Sequence, residues 1–146
     1  MNVLFVCTGN TCRSPMAEVI FNETYKRAKA VSRGLFVHRG STLSYEAKNV
    51  LEREYGFVIE RDAEELRDFD ISEADYIVTM TEAQKREIKR RYGGDRVFTL
   101  KELAGESGDV IDPYGMSERH YVETFSEIRR LIQNIPDFEK YRRLTI

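Results

Sequence analysis

The sequence predicts an α/β fold, a parallel sheet covered by helices on both faces, and three observations carry that reading. Short β-rich apolar runs alternate with longer segments of helical period along the chain. Only 9 glycines and 3 prolines punctuate 146 residues, so the elements are well formed and the turns short. Hydrophobic residues make up 41%, including eight Phe and eight Tyr, which is enough to pack a core and excludes wholesale disorder. At this length one domain spanning residues 1–146 is expected.

Taken in order, the first strand is the apolar run Val3 to Val6. Met16, Ala17, Ile20, Phe21, Thr24 and Ala28 then recur at helical spacing and predict a helix over 14–29, with Pro15 in its first turn where a missing N–H does no harm. A second strand is expected within Ala30 to Val37. Ser44 to Tyr55 reads as a helix with Ala47, Val50, Leu51 and Tyr55 on one face and Gly56 as its stop. Between 57 and 72 the pattern is weaker: a short strand at Phe57 to Ile59 and a helical turn near Ala63 to Phe69 are expected. Tyr76 to Met80 is a buried strand, and a charged helix starts at Thr81 and runs to Tyr92, where Gly93-Gly94 ends it. Val97 to Leu100 supplies one more strand. After the turn-rich Gly105 to Gly115 comes a last helix, Ser117 to Asn134, with Tyr121, Val122, Phe125, Ile128, Leu131 and Ile132 inward. Pro136 closes it, and the tail to Ile146 is either docked or mobile.

Charge narrows the function classes. Lys plus Arg total 23 against 25 for Asp plus Glu, a net of −2, which argues against a protein built to grip nucleic acid. Any phosphate recognition must be local. No apolar run approaches the roughly 18 residues of a membrane span, and no signal-peptide pattern opens the chain, so a cytoplasmic location without membrane association is expected. Cys7 and Cys12 are too close in sequence to staple a fold, so their use is chemical.

The strand Val3 to Val6 runs straight into Cys7-Thr8-Gly9-Asn10-Thr11-Cys12-Arg13-Ser14-Pro15, and a helix follows at once. Ligands of open α/β sheets bind beyond the carboxyl ends of strands, where a helix N-terminus offers unpaired N–H groups. The five residues between Cys7 and Arg13 can curl their amides around one tetrahedral anion, with Gly9 supplying a close or left-handed backbone. Those amides, the helix dipole and Arg13 would hold Cys7 as a thiolate, hence a nucleophile. Arg13 can fork onto two phosphoryl oxygens, and Ser14 can donate to the sulfur when it leaves. Two buried structural cysteines are the bland alternative. A metal site fits poorly, because His38 and His120 are the only other soft ligands and neither has paired spacing, so no metal and no cofactor are expected. A departing group needs a proton, and Asp112, stiffened by Pro113 within the Gly105 to Gly115 loop, is the candidate donor, with Asp109 in reserve.

These motifs resemble the low-molecular-weight protein tyrosine phosphatases, one bacterial branch of which acts on phosphoarginine. The resemblance covers nearly the whole chain. It rests on Cys7 to Pro15, on Ser32-x-Gly34, on Ala74-Asp75-x-Ile77-Val78-x-Met80, and on Asp112-Pro113-Tyr114-Gly115. It implies a three-layer αβα domain with a four-stranded parallel sheet, a metal-free two-step transfer through a phosphocysteine on Cys7, and Asp112 as general acid and then base. Thr8, Gly9, Asn10, Thr11, Cys12 and Ser14 would form the phosphate loop, Asn10 and Ser32 would hold its shape, and Phe36 and Tyr114 would flank the substrate. The implied partners are phosphorylated proteins, with inorganic phosphate as product and a monomeric enzyme. One departure is Arg61-Asp62-Ala63-Glu64, where the family often reads His-x-Ala-Arg; whether Arg61 replaces the imidazole stays open.

Tyrosine-directed members usually carry a bulky aliphatic residue before the second cysteine and paired aromatics after Asp-Pro. Thr11 and the single Tyr114 look instead like the arginine branch, so phosphoarginine is the favoured substrate and phosphotyrosine the alternative. A cysteine phosphoryl carrier, which would need no Asp112, is a second alternative. Arsenate reduction is disfavoured, since no cysteine follows Cys12. Cys12 is placed to resolve an oxidised Cys7 as a disulfide.

Overall fold

A computed structural model describes residues 1–142, so the last four residues of the tail lie outside the described residues. Four parallel strands form one sheet: β1 (Asn2–Cys7), β2 (Lys29–Gly34), β3 (Tyr76–Thr79) and β4 (Val97–Thr99). Their order is β2-β1-β3-β4. The chain leaves β1 to pair β2 on one side and returns as β3 on the other, so the carboxyl end of β1 is the switch point of the sheet.

Strand alternation divides the core. Val3, Phe5 and Cys7 face one layer, while Leu4 and Val6 face the other. The first layer contains α1 (Arg13–Thr24), α2 (Tyr45–Tyr55) and, later in the chain, the long helix Glu118–Gln133. The second contains α3 (Asp68–Glu73) and α4 (Glu82–Tyr92), represented by Ala74 beside α3 and by Ile88. A single turn, α5 (Leu100–Leu103), follows β4 directly and makes the Glu118–Gln133 helix α6. No helix among the described residues is long and apolar enough to cross a membrane.

Several expectations need correction. The first helix stops at Thr24 rather than 29, because Tyr25 turns inward, donates its hydroxyl to the Ile132 carbonyl at 3.0 Å and packs on Phe21 and Phe138. Ala28 therefore leads into β2. No strand forms at Phe57 to Ile59; the pairing lies later, as bridges of Asp62 to Thr42 and Glu65 to Gly34. The helical turn expected near 63–69 is α3, displaced to 68–73, where Asp70 receives the Arg67 backbone N–H at 3.0 Å. Val122 is exposed, one position off the buried stripe of α6. Leu100 opens α5 rather than ending β4, because Thr99 and Glu102 form a reciprocal cap. Pro136 does not merely close α6. It opens a 3₁₀ helix, Pro136–Tyr141, that buries Phe138 edge-on against Phe21 at 5.2 Å, so the described part of the tail is docked.

Candidate active site

The segment 8–12 leaves the end of β1 as a tight loop and enters α1 without a conventional cap. No side chain caps α1, and its first turn carries no acidic residue. Backbone N–H groups of residues 8 to 14 donate to no acceptor among the described residues. Unpaired amides beside a positive dipole end are an anion site.

The left-handed residue of the loop is Asn10, with φ of 56°, and not Gly9 as expected. Asn is one of the few side chains that tolerate that region, and here it does more than tolerate it. Its Nδ2 donates to Ser14 Oγ at 2.8 Å and to Ser32 Oγ at 3.1 Å, while its Oδ1 accepts the Glu64 N–H at 2.9 Å. The backbone acceptor role of Oδ1 fixes the amide orientation. Ser14 Oγ accepts from Asn10, and its one proton has two acceptors in reach, Cys7 Sγ at 2.9 Å and the Arg33 carbonyl at 3.4 Å. The sulfur is thus within hydrogen-bond reach of a hydroxyl in the first turn of α1, the nearer of the two partners open to that hydroxyl.

Neighbouring segments clamp the loop from three sides. After β2, Leu35 and Phe36 donate their N–H groups to the carbonyls of Cys7 and Thr8, and from the start of α2 Ser44 donates to Thr11. Gly34 is sterically obligatory, since a Cβ there would lie 2.9 Å from the Thr8 carbonyl oxygen and 2.6 Å from Val37 Cγ2. Arg61 does stand behind the loop: it donates to Ser32 Oγ at 3.3 Å and forks onto Glu18 of α1. At the head of α4, Gln84 accepts the N–H groups of Met80 and Thr81 and donates to Thr8 Oγ1 at 3.1 Å. Neither Gln84 nor Glu18 is marked as a site residue by the sequence reading. The Thr81-x-x-Gln84 capping pattern was the one available signal.

Arg13 is buried, with Nη1 held by the Val110 carbonyl at 2.8 Å and Nη2 at 3.6 Å from Asp112 Oδ2. Asp112 sits half exposed on the rim, its Oδ1 accepting the Tyr114 N–H at 3.1 Å. Asp109 is committed elsewhere, capping the backbone N–H of Glu82 at 2.9 Å. Cys12 faces the core, where burial pushes its thiol up, and its nearest polar neighbours are Thr11 Oγ1 at 3.5 Å and the Tyr121 hydroxyl at 3.9 Å. Burial and the nearby Cys12 push the Tyr121 phenol up as well. Both cysteines are free.

Above the loop opens a cleft of about 370 Å³ lined by Thr8, Gly9, Thr11, Phe36, Asp112 and Tyr114 among others. Of the sequence-named residues, Thr8, Gly9, Thr11, Phe36, Asp112 and Tyr114 line the cleft, while Cys7, Asn10, Cys12, Arg13, Ser14 and Ser32 are buried and do not line it. Among the described residues no three His, Cys, Asp or Glu side chains gather as a metal-ligand set.

A loop of free amides between a cysteine and an arginine, at the switch point of a four-stranded sheet, is suited to a phosphate-sized anion. Comparison agrees: residues 2–140 match the family described as low molecular weight phosphotyrosine protein phosphatase. The low molecular weight protein-tyrosine-phosphatase PtpB of Staphylococcus aureus is 38% identical over 138 residues, 94% of this chain and 98% of that protein. The crystal structure of the low molecular weight protein tyrosine phosphatase from T. tengcongensis superposes with a TM-score of 0.88 at 44% identity, covering 94% of this chain and 98% of that one. A structure of YwlE arginine phosphatase, a C7S mutant with a phosphorylated active-site serine, gives a TM-score of 0.88 at 34% identity and 98% coverage of both chains. The chain belongs to the low-molecular-weight protein tyrosine phosphatase family, and it is a phosphatase.

Proposed function

We propose that this phosphatase hydrolyses phosphorylated protein side chains, phosphoarginine in preference to phosphotyrosine, through a phosphocysteine on Cys7, without metal or cofactor. One observation carries the chemistry: on the loop that runs from Cys7 to Arg13, the backbone N–H groups of residues 8 to 14 donate to no acceptor among the described residues. In the first step the Cys7 thiolate attacks phosphorus, the bond to the side-chain heteroatom breaks, and Asp112 gives its proton to that atom. Arg13 and the amides meet the charge on the three equatorial oxygens as it spreads. In the second step Asp112 takes a proton from water, water attacks phosphorus, and the sulfur leaves with the Ser14 proton to stabilise it. Inorganic phosphate is released, and Asp112 is protonated again for the next turn.

The arginine preference rests on Thr11, half buried on the wall of the cleft, where a short hydroxyl side chain leaves room for a planar guanidinium and offers it an acceptor. Asp112 can bind that cation before protonating it. The phosphotyrosine reading draws on the aromatic rim, Phe36 and Tyr114, and on the naming of PtpB and the T. tengcongensis protein. A phosphoryl carrier would have no use for Asp112 beside Arg13. The protein is taken to act as a monomer in the cytoplasm.

The test compares kcat/KM on phosphoarginine and phosphotyrosine peptides before and after Thr11→Ile. A bulky aliphatic chain in place of the hydroxyl is expected to move the ratio toward phosphotyrosine by about tenfold or more, the range of one lost polar contact to a charged group. An unchanged ratio removes the basis for the arginine preference.

A further inference from the structure

Phe36 stands on the segment that follows β2, 58% exposed, and lines the cleft together with Thr11, Asp112 and Tyr114. A ring so far into water has little packing of its own to hold it. The guanidinium of Arg91, in the last turn of α4, lies over it at 4.9 Å from the ring centroid, within cation–π range. That guanidinium is itself fixed. It donates from Nε to Glu87 at 2.9 Å and from Nη2 to the Leu35 carbonyl at 3.4 Å. Glu87 is shared with Arg90, and the two arginines hold its carboxyl down to about 2. Leu35 and Phe36 are the residues whose N–H groups bind the Cys7 and Thr8 carbonyls, so Arg91 grips a segment stitched to the nucleophile loop.

We propose that Arg91 is a positioning residue for the substrate: it braces the Phe36 ring as a wall of the cleft, so that the ring face turned away from Arg91 stacks on the planar group bearing the phosphoryl. The proposal rests on the phosphatase reading and assigns the specificity wall of that same site. Its physical content is preorganisation. An unbraced Phe36 would give up rotamer freedom each time substrate docked, whereas a braced one gives it up on folding. The contact acts on the substrate's side chain and not on its PO₃ group. Arg91 should therefore register in KM for side-chain substrates and leave kcat and the affinity for inorganic phosphate alone, the signature of binding that is equal in ground and transition states.

The experiment measures kcat, KM and inhibition by inorganic phosphate for Arg91→Ala, Arg91→Lys, Phe36→Ala and the Arg91→Ala/Phe36→Ala double variant, on phosphoarginine and phosphotyrosine peptides, with thermal melts alongside. Arg91→Ala is expected to raise KM about three- to fivefold, the size of an exposed cation–π contact, with kcat and phosphate inhibition within about twofold. In the Phe36→Ala background the same substitution is expected to add nothing. Arg91→Lys, which keeps the charge but loses the planar fork, is expected to recover part of the loss. An unchanged KM in Arg91→Ala overturns the proposal, and so does a KM effect of full size in the absence of the ring. Weaker phosphate inhibition in Arg91→Ala also overturns it, since Arg91 would then support the loop and not the wall. If the unsubstituted protein turns over neither peptide, the phosphatase reading itself fails and takes the proposal with it.

Discussion

Asp112 and Arg13 approach to 3.6 Å, yet their surroundings assign them different work. Arg13 is buried and pinned by the Val110 carbonyl, a fixed cation for a fixed site, while Asp112 is half exposed and can trade protons with substrate and water. Asp112→Asn preserves the acceptor for the Tyr114 N–H and removes only the proton, so kcat should fall by about 10²–10⁴-fold while phosphate inhibition stays in place. Steady-state kinetics with phosphate as competitor reads both; a loss of phosphate binding instead would make Asp112 a structural residue. Cys12 invites a second prediction. Its thiol is pushed up by burial, so it stays protonated near neutral pH and does not compete with Cys7 for phosphorus. As an attacking thiolate it becomes more available as pH rises, so after peroxide oxidises Cys7, closure of a Cys7–Cys12 bridge should accelerate with pH. Cys12→Ser should then lose dithiothreitol-reversible recovery, and full recovery in that variant would contradict the protective role.

The strand, loop and first helix were legible because everything that makes them is contiguous: an apolar run, a nine-residue motif from Cys7 to Pro15, and a helical period after it. What surrounds them was not. The stretch 57–66 carries no periodicity of its own, since it is extended by partners distant in sequence: Leu43 donates to the Arg61 carbonyl, Ala63 to that of Ser41, and Glu64 to Asn10. Glycine was the obvious residue for the left-handed turn, yet Asn10 occupies it, and the reason is the set of hydrogen bonds that only its amide can make. Gly34 is the element-level test of how tightly β2 abuts the loop. A Cβ there meets backbone, which cannot rotate away, so Gly34→Ala should cost about 1–3 kcal/mol of stability and depress kcat/KM with it. Gly9→Ala, whose Cβ would meet nothing closer than Thr11 Oγ1 at 3.8 Å, should melt close to the parent in the same thermal scan. Equal melting temperatures for the two variants would show that the β2 segment does not press on the loop.

The whole fold serves one location. With the order β2-β1-β3-β4, the chain departs in opposite directions at the end of β1, and the crevice so formed receives amides from α1, a clamp from the segment after β2, a buttress from the head of α4 and the Asp112 carboxyl, the proposed acid, from the loop before α6. The opposite end of α1 is anchored by Phe21, Tyr25 and Phe138, so the helix that presents the amides is fixed at both ends. This assembly supplies what the proposed mechanism asks for, a sulfur atom that takes the phosphoryl group and gives it to water. Rapid-quench trapping of the protein with a ³²P-labelled phosphopeptide, followed by peptide mapping, examines that directly. The label should appear on Cys7 as fast as the dephosphorylated peptide does, build up when Asp112 cannot activate water, and be released as inorganic phosphate. Label confined to another residue, or turnover undiminished in Cys7→Ser, would contradict it.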